Sequence, residues 1–202
     1  GGKLFASNNP IASKTKWDGL LQKDPKALFD LPKDFSYKVI MSTGDVMTDG
    51  LKYGGRPDGM GAFELKDGSV ALVVNHETKS KDKNLELSTS YNDSNGRPFS
   101  GGTSTIVLES DGLTLRRANR SLSGTIDNCA GGTTPWNTWI SCEETYRENH
   151  GYAFEVDPEA DSLKGYKRLT HMGRFQREAI TVDLNDPNGS VYQTEDDYSG
   201  LF

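Results

Sequence analysis

The sequence predicts an all-β fold of antiparallel strands. Short runs rich in Val, Ile, Thr, Tyr and Phe alternate with turn residues along most of the chain, a pattern typical of antiparallel sheets. Three of these runs are divided by a tight-turn signal, so three hairpins of similar size are expected. A helical pattern is confined to about residues 18–30, where a turn or two broken at Pro25 is expected.

The three predicted hairpins follow one another along the chain. Residues 62–74 carry Asp-Gly between two apolar runs, and this pair readily supplies the positive φ angles of a tight turn. The same pattern surrounds Asp111-Gly112. A Pro-Asn-Gly turn separates residues 180–184 from residues 190–195. The similar size of the hairpins suggests repeated sheets, although the sequence shows no precise repeat.

The length of 202 residues suits one large all-β domain. Residues 1–35 are expected to wrap around it, and residues 78–102 are too hydrophilic for a core and predict a long polar loop. Loops of this length are functional or disordered. Because the hairpins on either side of the loop are of one kind, a single domain over residues 1–202 is favoured over two domains.

The charge balance excludes one broad class of function and favours another. With 29 acidic against 23 basic residues the formal net charge is −6, which argues against a nucleic-acid-binding surface and favours cations as partners. No apolar run approaches the roughly 20 residues of a membrane helix. The first residues, GGKLFASNNP, lack the pattern of a signal peptide, so the targeting segment of an exported protein is expected to lie outside this chain.

Several carboxylates lie next to predicted strands. Glu77 follows the apolar run SVALVV, Glu178 precedes ITVDL, and Glu195 and Asp196 follow SVYQT. Acidic groups gathered around one axis repel each other unless cations lie between them, and Ca²⁺ takes 6 to 8 oxygen ligands in loose geometry. These residues are therefore candidate calcium ligands, with a solvated turn as the alternative for each.

The segment DNCAGGTTPWNTWISCEE places a thiol near two adjacent carboxylates. Cys129 lies in a polar, glycine-rich stretch, where a thiolate can bind a transition metal or act as a nucleophile. No histidine of the chain occupies a recognisable cysteine-hydrolase motif, so metal ligation is favoured over nucleophilic attack. The alternatives are a small buried apolar residue and a disulfide with Cys142.

Neighbouring residues in this segment have two interpretations each. The Gly131-Gly132 pair lets the backbone approach a bound ion or anion, or forms a turn. Trp136 and Trp139 wall a site or pack in a sheet, and core packing is favoured for at least one of them.

Further polar residues are candidates for the same site. If the strand WNTWISC continues, Glu143 and Glu144 point to opposite faces, so only one of them is expected to reach a shared ion. Guanidinium groups match phosphate with two parallel donors, which makes arginines candidates for an anionic substrate and solubilising exposed residues the alternative. The candidate substrate-binding residues are Asn128, Arg174 and Arg177, and Arg147 is a further arginine that is a candidate to hold an anionic substrate.

Six segments together resemble the PhoX-type alkaline phosphatases, in the same order and at plausible spacing. They are LPKDFSYKVIMSTGDVMTDG, PDGMGAFELKDGSVALVVNHE, GGTSTIVL, NCAGGTTPWNTWISCEE, GRFQREA and VYQTEDDYSGLF, which span about Leu31 to the last residue. The resemblance implies a β-propeller of antiparallel four-stranded blades. It also implies export to the periplasm or beyond, and hydrolysis of phosphate monoesters by a mixed iron and calcium cluster.

The resemblance also implies roles for the candidate residues. Cys129 is expected to bind iron, because a thiolate suits a softer transition metal better than calcium. The clustered cations are expected to neutralise phosphoryl oxygens and to supply an activated oxygen nucleophile, which makes Cys129, Glu144 and Glu178 the catalytic centre. The carboxylates expected to share the remaining iron and calcium positions are Glu77, Glu143 or Glu144, Glu178, Glu195 and Asp196.

The chain departs from the family in two respects. Arg177 stands where the family commonly carries a histidine. The resemblance covers only the N-terminal part of longer relatives, and three hairpins do not close a ring of 4 to 8 blades, so an incomplete propeller is expected. Two other functions stay open: a lactonase-like metal-dependent propeller hydrolase, and a calcium-binding propeller fragment without enzymatic activity.

Overall fold

The computed structural model describes residues 19–79, Tyr91 and residues 99–198. The chain divides into two compact units, Gly1–Val39 and Ile40–Phe202. The predictions of a single domain and of an N-terminal wrap over residues 1–35 stay predictions.

In the described part of the first unit, two short strands pair antiparallel, β1 (Leu21–Gln22) and β2 (Leu31–Pro32). The helix expected near residues 18–30 is wrong for the described residues of that range. The Asp24 carboxylate accepts the backbone N–H groups of Lys26 and Leu28 at 3.0 and 2.9 Å, and such local bonds compete with a helix.

The first sheet of the second unit is an antiparallel meander in which each strand pairs with the next along the chain. The Asp67–Gly68 and Asp111–Gly112 turns join its strands as predicted, so both hairpins are confirmed. Its strands are β3 (Pro57–Glu64), β4 (Val70–His76), β5 (Phe99–Leu108) and β6 (Leu115–Gly124).

A second four-stranded meander and a separate hairpin follow. The hairpin confirms the third predicted turn, and one short 3-10 helix, Thr170–Met172, precedes it. The meander consists of β7 (Asn128–Thr133), β8 (Trp139–Glu143), β9 (Ala153–Val156) and β10 (Lys167–Arg168), and the hairpin of β11 (Arg177–Val182) and β12 (Val191–Glu195).

The prediction of an all-β, antiparallel fold is therefore confirmed. Two four-stranded meanders match the build of propeller blades, but the strands of the described ranges form no closed ring, so the propeller stays a prediction. The polar loop expected at residues 78–102 lies mostly outside the described residues, and residues 99–102 belong to β5.

The core of the second unit joins the two meanders. Phe63, Val73 and Val107 from the first meander form one apolar cluster with Trp139 and Phe154 from the second. Strand β4 is buried on both faces, since Val74 packs into a different cluster, and this explains the continuous apolar run in its sequence. Burial of these side chains fixes the two sheets relative to each other.

The first strands of the three sheets lie side by side. Strand β7 contacts both β3 and β11. Gly59 in β3 makes the first approach possible, because a Cβ atom there would lie 2.7 Å from the Cα atom of Ala130. The amide of Asn75 ties the same region together, donating to the Ala130 carbonyl at 2.7 Å and accepting from Trp139 Nε1 at 2.9 Å.

Candidate metal centre

Each of the three sheets of the second unit begins with a hairpin that has the same irregularity. In each hairpin, the second pair of facing residues lies three residues later than the first pair on the first strand, but only two residues earlier on the second strand. One extra residue on the first strand is a β-bulge. The pairs are Pro57↔His76 then Met60↔Val74, Asn128↔Glu143 then Gly131↔Ser141, and Arg177↔Glu195 then Ile180↔Gln193.

The repeated bulge places chemically active residues at equivalent positions. Bulges re-aim side chains and are common next to active sites. The residue after the paired position on the first strand is in turn Asp58, Cys129 and Glu178, and the residue after the paired position on the second strand is Glu77, Glu144 and Asp196.

Three of these six residues come together closely. One ligand atom each from Cys129, Glu144 and Glu178 lies within 4.8 Å of the other two. The thiol is buried and directed at the start of β11, because its Sγ donates to the carbonyl oxygens of Arg177 at 3.4 Å and of Glu178 at 3.7 Å. We call these three residues the ligand triad.

The electrostatics of the ligand triad favour a bound cation. Burial, followed by the negative charges of Glu178 and Asp196, raises the pKa of Glu144 to about 7. Burial and neighbouring carboxylates also raise the pKa of Glu178 and of the Cys129 thiol. A metal ion reverses this balance, since it stabilises the deprotonated form of every ligand. One thiolate and two carboxylates are a suitable donor set for such an ion.

Glu77 lies beside the ligand triad without belonging to it. Its carboxylate pairs with Arg56 at 2.8 Å and Lys79 at 3.5 Å. Its negative charge contributes to the raised pKa values of Glu144 and Glu178, which places it within electrostatic reach of both.

Asp196 lies within electrostatic reach of the triad, and Glu195 is hydrogen-bonded elsewhere. The charge of the exposed Asp196 contributes to the raised pKa of Glu144 and of Glu178. Gln176 connects this segment to the triad, donating to the Asp196 carbonyl at 2.6 Å and to Glu144 at 3.4 Å. Glu195 instead accepts a hydrogen bond from the Tyr146 hydroxyl.

Asn128, Glu143 and Arg177 each directly precede a triad residue, and all three are fully buried. The Asn128 amide donates to Ser141 Oγ at 2.9 Å and accepts from Thr125 Oγ1 at 2.6 Å. The Glu143 carboxylate accepts hydrogen bonds from the protein on both oxygens. These polar groups are hydrogen-bonded inside the protein, and Glu143 is not among the three residues whose ligand atoms converge. The substrate-binding role of Asn128 stays a prediction.

The two candidate arginines are also bonded within the protein. Arg177 donates to Gln193 Oε1 at 2.7 Å and to the carbonyls of Gly151, Met172 and Gly173 at 3.0–3.1 Å. Arg174 donates to three carbonyls, those of His150, Tyr146 and Arg147, at 2.5–2.9 Å. Both side chains therefore stabilise the chain that leads into β11, and their role in substrate binding stays a prediction.

The structure also shows the surroundings of one histidine, two tryptophans and two cysteines in this region. His76, the last residue of β4, is fully buried, with its ring nitrogens 3.1 Å from the Gly55 carbonyl and 2.8 Å from Ser104 Oγ. Trp139 packs in the core, as favoured for one of the two tryptophans, and Trp136 is exposed. Cys129 and Cys142 are both free thiols.

Sequence reasoning missed two acids next to the triad. Asp58 contributes to the raised pKa of Glu178, and its signal in the sequence is an acid at the start of a predicted strand. Asp127 has a φ of 49°, which is uncommon for a residue other than glycine. Burial raises its pKa to about 6, and its Oδ1 is buried without a hydrogen-bond partner among the described residues.

A known protein family matches almost the whole chain. The family model of the alkaline phosphatase PhoX matches residues 18–120 and 114–202. The chain belongs to the PhoX family. No curated protein and no solved structure matches it.

Membership of the PhoX family supports metal-dependent phosphatase chemistry on phosphate esters at the level of the family. The ligand triad is a possible metal-binding group in this PhoX chain. Within the described ranges, no helix is long and apolar enough to cross a membrane.

Proposed function

We propose that this chain contributes a metal centre that hydrolyses phosphate monoesters, with the ligand triad as its core. The observation that carries the proposal is the convergence of Cys129, Glu144 and Glu178 to within 4.8 Å in a chain of the PhoX family. Cys129 and Glu178 lie within the bulges of two neighbouring first strands, and Glu144 directly follows the second strand of the hairpin that carries Cys129.

The donor types divide the proposed ions into two classes. A thiolate favours a transition metal over calcium, so iron is proposed at Cys129 with Glu144 and Glu178. The oxygen donors around the triad, Glu77 and Asp196, suit calcium. Asp58 joins them because it occupies in the first hairpin the position of Cys129 in the second.

The chemistry follows from this arrangement. When bound, the ions act as Lewis acids on the phosphoryl oxygens and supply an activated oxygen nucleophile. The residues of this chain hold the deprotonated thiol and carboxylates in place, and the tight packing of β3, β7 and β11 keeps their spacing fixed. Burial raises the pKa of Asp127, and the positive charges of Lys79, Arg147 and Arg56 partly oppose that rise. The same three charges offer attraction for an anionic ester.

The proposal is tested by elemental analysis of the purified chain together with a p-nitrophenyl phosphate assay. Cys129→Ala is expected to remove the iron, because it deletes the thiolate ligand. Cys142→Ala is the matched control, since Cys142 is a second fully buried thiol that packs in the apolar cluster with Ile140 and Ala153.

The outcomes separate the three candidate functions. Iron that depends on Cys129 but not on Cys142, together with ester hydrolysis, supports the proposal. Full phosphatase activity in metal-free protein contradicts it. Turnover of lactones without turnover of phosphate esters favours the lactonase alternative, and a calcium-dependent rise in melting temperature with no hydrolysis favours the calcium-binding alternative.

A further inference from the structure

The buried carboxylate of Glu143 makes four hydrogen bonds. Its Oε1 accepts from the backbone N–H of Ile126 at 3.1 Å and lies 2.7 Å from His150 Nδ1. Its Oε2 accepts from the backbone N–H groups of Gly151 at 2.8 Å and Tyr152 at 3.1 Å. An ionised carboxylate is an acceptor only, so it matches a setting made of donors, and its four bonds offset the cost of burying it.

These bonds connect the segments that carry the ligand triad. Ile126 lies three residues before Cys129, and the backbone N–H of Glu144 donates to the Asp127 carbonyl at 2.9 Å. Gly151 continues the connection, because its carbonyl accepts from Arg177 Nη1 at 3.0 Å, next to Glu178. The Glu143 carboxylate therefore links the chain entering β7 to the chain entering β9, and through Gly151 to the start of β11.

His150 is held from a second direction. Its ring packs edge-to-face against Tyr91 and Phe99, with centroids 5.2 and 4.9 Å away. Both Glu143 and His150 are fully buried, and His150 Nε2 has no hydrogen-bond partner among the described residues. The aromatic rings thus contact the imidazole, while its Nδ1 faces Glu143.

We propose that Glu143, oriented by His150, is a positioning residue for the ligand triad, an inference that rests on the function proposed above. Glu143 binds no metal itself. It fixes the backbone before Cys129 relative to Glu144, so that the thiolate and the carboxylate meet at one ion. Groups that orient metal ligands in this way typically cost 10- to 100-fold in metal affinity when they are mutated.

The test is a Co²⁺ titration, followed by the ultraviolet absorption of the thiolate–cobalt bond. Glu143→Gln keeps the size of the side chain but turns an N–H donor toward groups that are themselves donors. Its cobalt affinity is expected to fall at least about tenfold. Glu155→Gln is the matched control, because Glu155 on β9 also accepts side-chain hydrogen bonds, from Trp136 and Thr138, away from the triad.

A second pair of variants covers the case in which Glu143→Gln fails to fold. His150→Leu removes one donor to Glu143, and His150→Asn retains a donor near the position of Nδ1. We expect weaker cobalt binding in the leucine variant and partial recovery in the asparagine variant. A merely structural role lowers the melting temperature of both without changing the affinity of the folded protein.

The cobalt titration distinguishes the positioning role of Glu143 from the proposed metal centre. A wild-type cobalt band that Cys129→Ala abolishes and that the Glu143 and His150 variants retain at unchanged affinity overturns the positioning role alone. Absence of any Cys129-dependent band in the wild type overturns the proposed metal centre together with it. A selective loss of affinity in the Glu143 and His150→Leu variants supports both.

Discussion

Gly132 and Ile180 approach each other so closely that a Cβ atom at position 132 would lie 1.9 Å from the carbonyl oxygen of Ile180. This contact joins β7 to β11, the strands that carry Cys129 and Glu178 near their first residues. The glycine pair was expected to admit an ion or anion, or to form a turn. Its second member instead lets two strands touch, and so sets the distance across the triad.

Gly132→Ala is predicted to separate these strands. The added methyl group meets backbone rather than a movable side chain, so overpacking is expected to lower the free energy of unfolding by about 2 kcal/mol or more. Urea unfolding measures the change. Gly55→Ala is the control, because a Cβ atom there meets only Thr43 Cγ2 at 3.7 Å; equal stability of the two variants contradicts the prediction.

Arg177→Lys is predicted to act on stability rather than on substrate affinity. A lysine cannot reach the side-chain oxygen of Gln193 and the three carbonyls that Arg177 satisfies, and buried acceptors left without donors are expected to cost about 3 kcal/mol. Chemical denaturation tests this, with the exposed Arg147→Lys as control. A raised KM at unchanged stability contradicts this prediction and supports Arg177 as a substrate-binding residue.

Both members of three neighbouring pairs were candidates from the sequence, and the structure separates the two members of each pair. In Asn128-Cys129, Glu143-Glu144 and Arg177-Glu178 the first residue is buried and hydrogen-bonded inside the protein, and the second belongs to the triad. Alternation along a strand predicts that such neighbours differ. Which one faces the site depends on the bulge and on strand pairing, and neither can be read from local sequence.

The fold shows a similar division between local and long-range information. The three hairpins were predictable because their turns need residues such as Asp-Gly, whose conformational preference is local. The pairing of Pro57 with His76, and its counterparts in the β7–β8 and β11–β12 hairpins, depends on contacts between strands. Similar hairpin sizes suggested repeated sheets, but the repeated bulge could not be predicted from the sequence. The false helix near Pro25 arose from a weak apolar pattern that Asp24 overrides through its own backbone bonds.

The metal-free protein is predicted to lose stability as the pH rises from about 5 to 7.5. The pKa of Glu144 is raised from 4.5 to about 7 in the folded chain, so the folded state binds more protons than the unfolded state over this interval. Stability is then present at low pH and is lost as the pH rises through the folded pKa. Asp127, with its pKa raised to about 6, acts in the same direction.

Urea unfolding in the presence of a chelator, at pH 5 and pH 7.5, measures this dependence. Glu144→Gln is expected to reduce the difference between the two pH values, because the amide does not ionise. The exposed Glu148→Gln serves as control. A wild-type protein that is more stable at pH 7.5 than at pH 5 contradicts the prediction.

Asp58→Asn is predicted to weaken calcium binding. Asp58 occupies in the first hairpin the position that Cys129 and Glu178 occupy in the next two, and its charge reaches Glu178. Calcium at 100 times its Kd is expected to stabilise the wild type by about 2.7 kcal/mol, and a tenfold weaker site by about 1.4 kcal/mol. Denaturation with and without calcium measures both values. Glu64→Gln, an exposed acid at the far end of the same strand, is the control, and because it lies outside the bulge its calcium stabilisation should equal that of the wild type. An equal loss in both variants points to general screening of negative charge instead of a ligand at the bulge.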